Sequence, residues 1–185
     1  MLPSRHLLAA ASTALLLLCS DPAAADSPPI EAPAMRTAAQ EQNKATARRV
    51  YEEGLSQGIF GIPYSKDFIG HGGGAATFTH EQGMAEARGW RKAFPDLNVT
   101  VDLIVAEGDL VSVRWTARGT NTGSGNGIPA TGKSVQTTGI TMFRFADGAI
   151  AEEWTAGNQL GLMRQLGLLP PPVTSAASTQ QKGST

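Results

Sequence analysis

The sequence predicts an α+β domain in which a curved antiparallel sheet carries helices on its concave face, forming a conical barrel with an internal pocket. Three observations lead there. Helix-forming segments with one apolar stripe occupy the first half of the chain. Apolar alternation of period two occupies the second half. Turn signals fold those alternating runs back as hairpins, Asp147-Gly148 being the strongest.

The N-terminus is set apart from that domain. Arg5 and His6 precede an apolar run from Leu7 to Leu18, and Ala23-Ala24-Ala25 offers small residues for cleavage before Asp26. Charge, apolar run and small-residue site in that order predict a signal peptide over residues 1–25 and a secreted or periplasmic protein. The run is shorter than the ~20 residues of a spanning helix. Cys19 is the only cysteine, so cleavage would leave no disulfide and no thiol nucleophile. A lipid anchor at Cys19 is the lesser alternative, because bulky Leu18 precedes it. Residues 26–36 are rich in Pro and Ala and form a linker. The domain spans 37–169, Pro170-Pro171-Pro172 ends it, and the polar remainder to Thr185 has too little apolar content to pack.

Within the domain, Thr37 to Gln57 is full of good helix formers, with Ala47, Val50, Tyr51 and Gly54 on one face and Gly58 as the stop. A short strand follows at Asp67–His71. The second helix has the clearest start: Thr79-His80-Glu81-Gln82 fits a capping box. Gly83, Ala87, Trp90 and Phe94 then lie on one stripe, and Pro95 ends the helix. Val99, Val101, Leu103 and Val105 alternate with polar residues and Ile104, as do Val111, Val113, Trp115 and Ala117. A glycine-rich connection runs from Asn121 to Gly132, and within it Gly123–Gly127 is expected to be a mobile hairpin loop. Ser134–Phe145 and Ile150–Ala156 complete the strands, and a helix at Gln159–Leu166 closes the domain.

Several function classes are disfavoured. Fifteen basic residues stand against 16 acidic ones with no long basic run, which argues against nucleic acid as a partner. Gly54-Leu55-Ser56-Gln57-Gly58 matches a nucleophile elbow, and His71-Gly72-Gly73-Gly74 an oxyanion motif. However, Ser56 ends a helix instead of leaving a strand, and no histidine follows His80 to serve as the base. Gly123-Ser124-Gly125-Asn126-Gly127 lacks the lysine of a phosphate loop. His71 and His80 without cysteine make a poor metal set, so no metal is expected.

The last third is the most informative. Glu152-Glu153-Trp154, then Asn158, then Leu160-Gly161-Leu162-Met163-Arg164-Gln165-Leu166-Gly167 resembles the SnoaL-like polyketide (ester) cyclases of the nuclear-transport-factor-2-like, or cystatin-like, superfamily. Arg91-Lys92-Ala93-Phe94-Pro95-Asp96-Leu97, Gly127-Ile128-Pro129-Ala130-Thr131-Gly132 and Asp67-Phe68-Ile69-Gly70-His71 are similar to other segments of that family, so the resemblance runs from about Asn43 to Gly167. It implies cofactor-free chemistry. A carboxylate takes a proton from a carbon flanked by carbonyls, and the enolate closes a ring by an intramolecular aldol step.

The chain departs from the family where it matters. The acid expected four residues after Trp154 is Asn158, which can hydrogen-bond but cannot act as a base at neutral pH. Alternation puts Glu152, Trp154, Ala156 and Asn158 on one face. Glu152 is therefore either a displaced base in the pocket or a partner for Arg114 or Arg144. His71 either supports or replaces the base, or is a hydrogen-bonded wall residue. The expected catalytic set is His71, Glu152 and Asn158. The expected substrate contacts are Trp90, Phe94, Arg144 and Trp154, with Arg144 a stabiliser of carbonyl or enolate unless it is simply solvated. Three readings follow: a cyclase-like enzyme, a non-catalytic binder of a small apolar or polyketide-like ligand, or a related hydrolase or isomerase. A homodimer is expected through the outer sheet face.

Overall fold

A computed structural model describes residues 33–72 and 76–170, all within the unit that begins at Ala32. The expected signal peptide, most of the linker and nearly all of the polar tail lie outside the described residues. The elements run α1 (Pro33–Arg49), a π-helical turn (Val50–Leu55), β1 (Tyr64–His71), β2 (Thr77–Phe78), α2 (His80–Ala93), β3 (Asn98–Glu107), β4 (Leu110–Thr120), β5 (Ser134–Ala146), β6 (Ala149–Gly157) and α3 (Gln159–Leu166).

One curved six-stranded sheet has the order β2-β1-β6-β5-β4-β3. The α+β class is as predicted, with two differences. The sheet is mixed, because β1 runs parallel to β6, and it stays open instead of closing into a barrel. A parallel neighbour of β6 could not be read from hairpin signals, since β1 reaches it through a long crossover that includes α2.

Local chemistry explains the helices. α1 starts inside the expected linker at Pro33, and proline suits a first helical position because its missing N–H has no partner there. Ala47, Tyr51 and Gly54 are buried as the stripe predicts. Ser56 is structural. Its hydroxyl accepts from the Val99 N–H at 2.7 Å and donates to Tyr51 O at 3.0 Å, tying the helix end to β3. Arg91 on α2 braces the same place, donating to Leu55 O at 2.7 Å and Ser56 O at 2.6 Å. The capping box of α2 forms as predicted: Gln82 N–H donates to Thr79 Oγ1 at 3.3 Å and Thr79 N–H to Gln82 Oε1 at 2.8 Å.

The glycine-rich connection is docked against α2, not loose as the composition suggested. Gly123 N–H donates to Ala93 O at 3.1 Å, and Asn126 Nδ2 donates to Glu86 O at 3.0 Å. A Cβ at Gly123 or Gly125 would overlap the backbone of α2. Fully buried Asn121 anchors the segment, donating to Ala93 O and Gly123 O and accepting from Thr131 N–H and Oγ1.

The main core lies between the sheet and α1 and includes Val111, Val113, Phe143 and Ile150, all fully buried. A second cluster (Ala93, Phe94, Ile128, Leu162, Leu166) packs α3 against α2. Two β-bulges change which face the strands present. In β3, Val101 pairs with Trp115 but Leu103 with Arg114, so Asp102 is an extra residue. Beyond it the predicted apolar face turns outward: Leu103 and Val105 are each 65% exposed, while Ile104 and Ala106 pack on the core. In β6, Ile150 pairs with Phe145 but Glu152 with Arg144, so Ala151 is extra.

Candidate active site

The β6 bulge decides which acid enters the interior. The two-residue turn at Asp147-Gly148, both with positive φ, starts the hairpin in strict register. Without a bulge, that register would place Glu152 opposite inward-facing Phe143. With Ala151 inserted, Glu153 takes that place and Glu152 turns to the convex face opposite Arg144. The inward set on β6 is therefore Ile150, Glu153, Thr155 and Gly157.

A cavity of about 480 Å³ lies between this surface and the helices. Tyr51 and Leu55 line it from the π-helical turn, Met84, Ala87, Trp90 and Phe94 from α2 and its end, and Tyr64 and Phe68 from β1. Trp115, Glu153, Thr155 and Asn158 also line it, as do His80 and Glu86 toward α2. Apolar and aromatic side chains dominate, the usual lining of a small-molecule site.

Glu153 is the carboxyl at the centre of this arrangement. Burial lifts its pKa above the ordinary glutamate value, and the Glu86 carboxylate lifts it further. One hydrogen bond opposes that rise: Thr155 Oγ1 donates to Glu153 Oε1 at 2.8 Å. Behind it, Thr155 Oγ1 lies 2.9 Å from Thr141 Oγ1, and Trp115 Nε1 donates to Thr141 Oγ1 at 3.1 Å. Glu153 Oε2 makes no hydrogen bond among the described residues. Tyr51 stacks on Trp115 with ring centroids 5.9 Å apart. Burial, reinforced by the charge of Glu153, raises the pKa of both Tyr51 and Tyr64, so both stay protonated and able to donate. His80 stacks on Tyr64 at 4.4 Å.

The residues predicted for the site divide between the two faces. Trp90 and Phe94 line the cavity. Asn158 is at its mouth, where Oδ1 accepts from the Gly161 N–H at 2.9 Å and caps α3. The inward orientation expected for Glu152 and Trp154 is corrected: with Arg144 they lie on the convex face. Arg144 Nε donates to Glu152 Oε2 at 2.7 Å, and this bond holds the Glu152 pKa down. The partner reading of Glu152, with Arg144 and not Arg114, describes the structure; Arg114 instead pairs with Asp102. His71 borders the cavity at the end of β1, but its ring stacks flat on Trp154, 4.9 Å away, and Nε2 lies 3.7 Å from Glu152 Oε1. That nitrogen is buried with no hydrogen-bond partner. Among the described residues no group of three His, Cys, Asp or Glu could hold a metal ion.

Sequence reasoning missed Glu153, Thr155, Thr141 and both tyrosines. One signal was available. Arg144 can meet Glu152 across the hairpin only if the strand accepts an extra residue, and that residue turns Glu153 inward.

An open curved sheet that cups an apolar cavity against its helices places the chain in the nuclear-transport-factor-2-like class of α+β proteins. The profile of the SnoaL-like polyketide cyclase family matches residues 45–166, and the chain belongs to that family. Solved structures agree. A SnoaL-like protein from Jannaschia sp. CCS1, assigned as a polyketide cyclase, superposes with a TM-score of 0.64 at 26% identity, over 71% of this chain and 95% of that one. IdmH from Streptomyces antibioticus, also assigned as a polyketide cyclase, gives 0.60 at 30% identity over 68% and 99%. AclR from Streptomyces galilaeus, assigned as a hydroxylase, gives 0.59 at 30% identity over 76% and 86%. No curated protein matches the chain.

Proposed function

We propose that the protein is an exported, cofactor-free acid/base enzyme that enolises, and then cyclises by an aldol step, a small polyketide-like ester, with Glu153 as the base. The observation that carries this reading is a desolvated carboxyl, one oxygen of which is free among the described residues, in an apolar cavity of about 480 Å³. A raised pKa makes its conjugate base strong enough to take a proton from carbon activated by two carbonyls. Tyr51 and Tyr64, neutral at physiological pH, supply O–H donors for the enolate oxygen that develops. Aromatic walls from Trp90, Phe94 and Trp115 hold a flat substrate. Asn158, in the position of the family acid, caps a helix and shapes the mouth. The apolar run at Leu7–Leu18 and the small residues at Ala23–Ala25 support export. The exposed apolar side chains of Ile69, Ile140 and Met142 on the convex face support a homodimer.

A non-catalytic small-ligand binder is the second reading, favoured by the helix-capping role of Asn158. The test uses an aromatic β-keto ester in D₂O. Exchange of the α-proton, followed by NMR, reports enolisation whether or not a ring closes. The wild type should accelerate exchange and Glu153→Gln should not. Full exchange activity in Glu153→Gln would exclude Glu153 as base. Saturable binding without exchange in the wild type would establish the binder.

A further inference from the structure

We infer that Trp115, Thr141 and Thr155 form a one-way chain of donors that decides which oxygen of Glu153 receives the substrate's proton. The inference rests on the reading of Glu153 as base, and in this role the three residues are positioning residues because each acts on the proton only through Glu153, although Trp115 also forms part of the cavity wall.

The polarity of the chain follows from counting protons. A threonine hydroxyl has one proton to give. Thr155 gives its proton to Glu153 Oε1 at 2.8 Å, since a carboxylate can only accept. The 2.9 Å contact between Thr155 Oγ1 and Thr141 Oγ1 must then be filled by the proton of Thr141. An indole N–H can only donate, and Trp115 Nε1 fills the acceptor side of Thr141 at 3.1 Å. With Glu153 ionised, every proton in the series therefore points toward it. Trp115 is held in place. Its ring stacks on Tyr51, and Gly139, its cross-strand partner, leaves the space the indole fills, since a Cβ there would overlap it.

Oε1 is thus committed as an acceptor, whereas Oε2 is free among the described residues. In the enolising step the substrate C–H bond breaks, its electron pair stays on the substrate as the enolate, and its proton moves to Glu153 Oε2. Protonation at Oε1 would compete with the hydrogen bond that this oxygen accepts from Thr155. The chain also supports the charged form of Glu153 against the effect of burial, and so sets how basic the carboxylate is.

The experiment titrates Glu153 directly, by NMR of carboxyl-¹³C glutamate in the full chain, alongside the pH dependence of turnover. Thr155→Val keeps the shape and removes the donor. Its Glu153 midpoint should rise by roughly one to two pH units, the effect of one hydrogen bond to a charged group. Thr155→Ser should restore the wild-type midpoint. Trp115→Phe should move it in the same direction by less, because Thr141 then loses the N–H that strengthens its own donation to Thr155. In Thr155→Val and Trp115→Phe the effect should fall on kcat more than on KM. An unchanged midpoint in Thr155→Val, with Glu153→Gln inactive, overturns the inference and leaves the base assignment standing. A midpoint that moves while Glu153→Gln still turns over refutes the base assignment instead. If Thr155→Val fails to fold, Trp115→Phe carries the test, and a wild-type midpoint in that variant overturns the inference.

Discussion

Replacing Glu153 with Gln should make the protein more stable at neutral pH while removing its activity. The folded carboxyl binds its proton more tightly than the unfolded chain, because burial raises its pKa above the ordinary 4.5. The sign follows from linkage. The stability contributed by a raised acid is fully present below the unfolded pKa and is lost as pH rises through the folded one. At pH 7 the wild type therefore bears the cost of a buried charge that only the Thr155 bond relieves directly. Glutamine keeps an oxygen to accept from Thr155 and carries no charge. The expected gain is of the order of 1–2 kcal/mol at pH 7, the usual size when a functional group adverse to the fold is neutralised. For a domain of this size that is about 3–10 °C in Tm. At pH 4, where both states hold the proton, the gain should vanish. Thermal melts followed by circular dichroism at the two pH values measure it. An equal gain at both pH values, or a loss at pH 7, would show that the charge is already compensated and that the argument for a tuned base is unsound.

Other consequences can be measured on the same protein. Asn121→Ala strips buried backbone groups on α2 and the glycine-rich connection of their partners and should cost about 2–4 kcal/mol in urea unfolding. Arg144→Ala should cost under about 1 kcal/mol at pH 7, since the pair with Glu152 is partly solvated. Because the Glu152 pKa is lowered, that contribution exists above the unfolded value near 4.5 and should fade as pH drops through the folded one. The pH–rate profile should rise with a midpoint above the ordinary glutamate value, as Glu153 loses its proton. Light scattering at micromolar concentration should report a dimer, and Ile140→Asp on the exposed convex face should shift it to monomer.

Much of the fold could be read in the sequence, because local chemistry specifies it. The capping box, the α2 stripe, the Asp147-Gly148 hairpin and the span of α3 each depend on neighbours a few residues away. The family segments proved to be largely architectural. Arg91 braces a helix end, and Asp96 accepts from the Thr120 N–H at 2.7 Å. Gln165 bonds β5 in both directions through Gln136, and Gly167 ends α3 in the left-handed conformation. They therefore identified the fold far better than the chemistry. The site was less legible because it depends on strand parity. Strict alternation correctly grouped Glu152 with Trp154 and Ala156 but gave them the wrong face. The same error put Leu103 and Val105 on the core. In both strands one surplus residue reverses the faces, and only in β6 did a possible ion pair, Arg144 with Glu152, hint at it.

The two walls that bring Tyr51 and Glu153 to the cavity are both aimed by a single residue beyond the regular repeat. The π-helical turn Val50–Leu55 is a helix with one residue too many, and it delivers Tyr51; the Ala151 bulge is a strand with one too many, and it delivers Glu153. Length is therefore as much a part of how this cavity is lined as side-chain identity. Two chains of this architecture could share every motif letter and still, through one deletion in the final hairpin, present different acids to the same substrate.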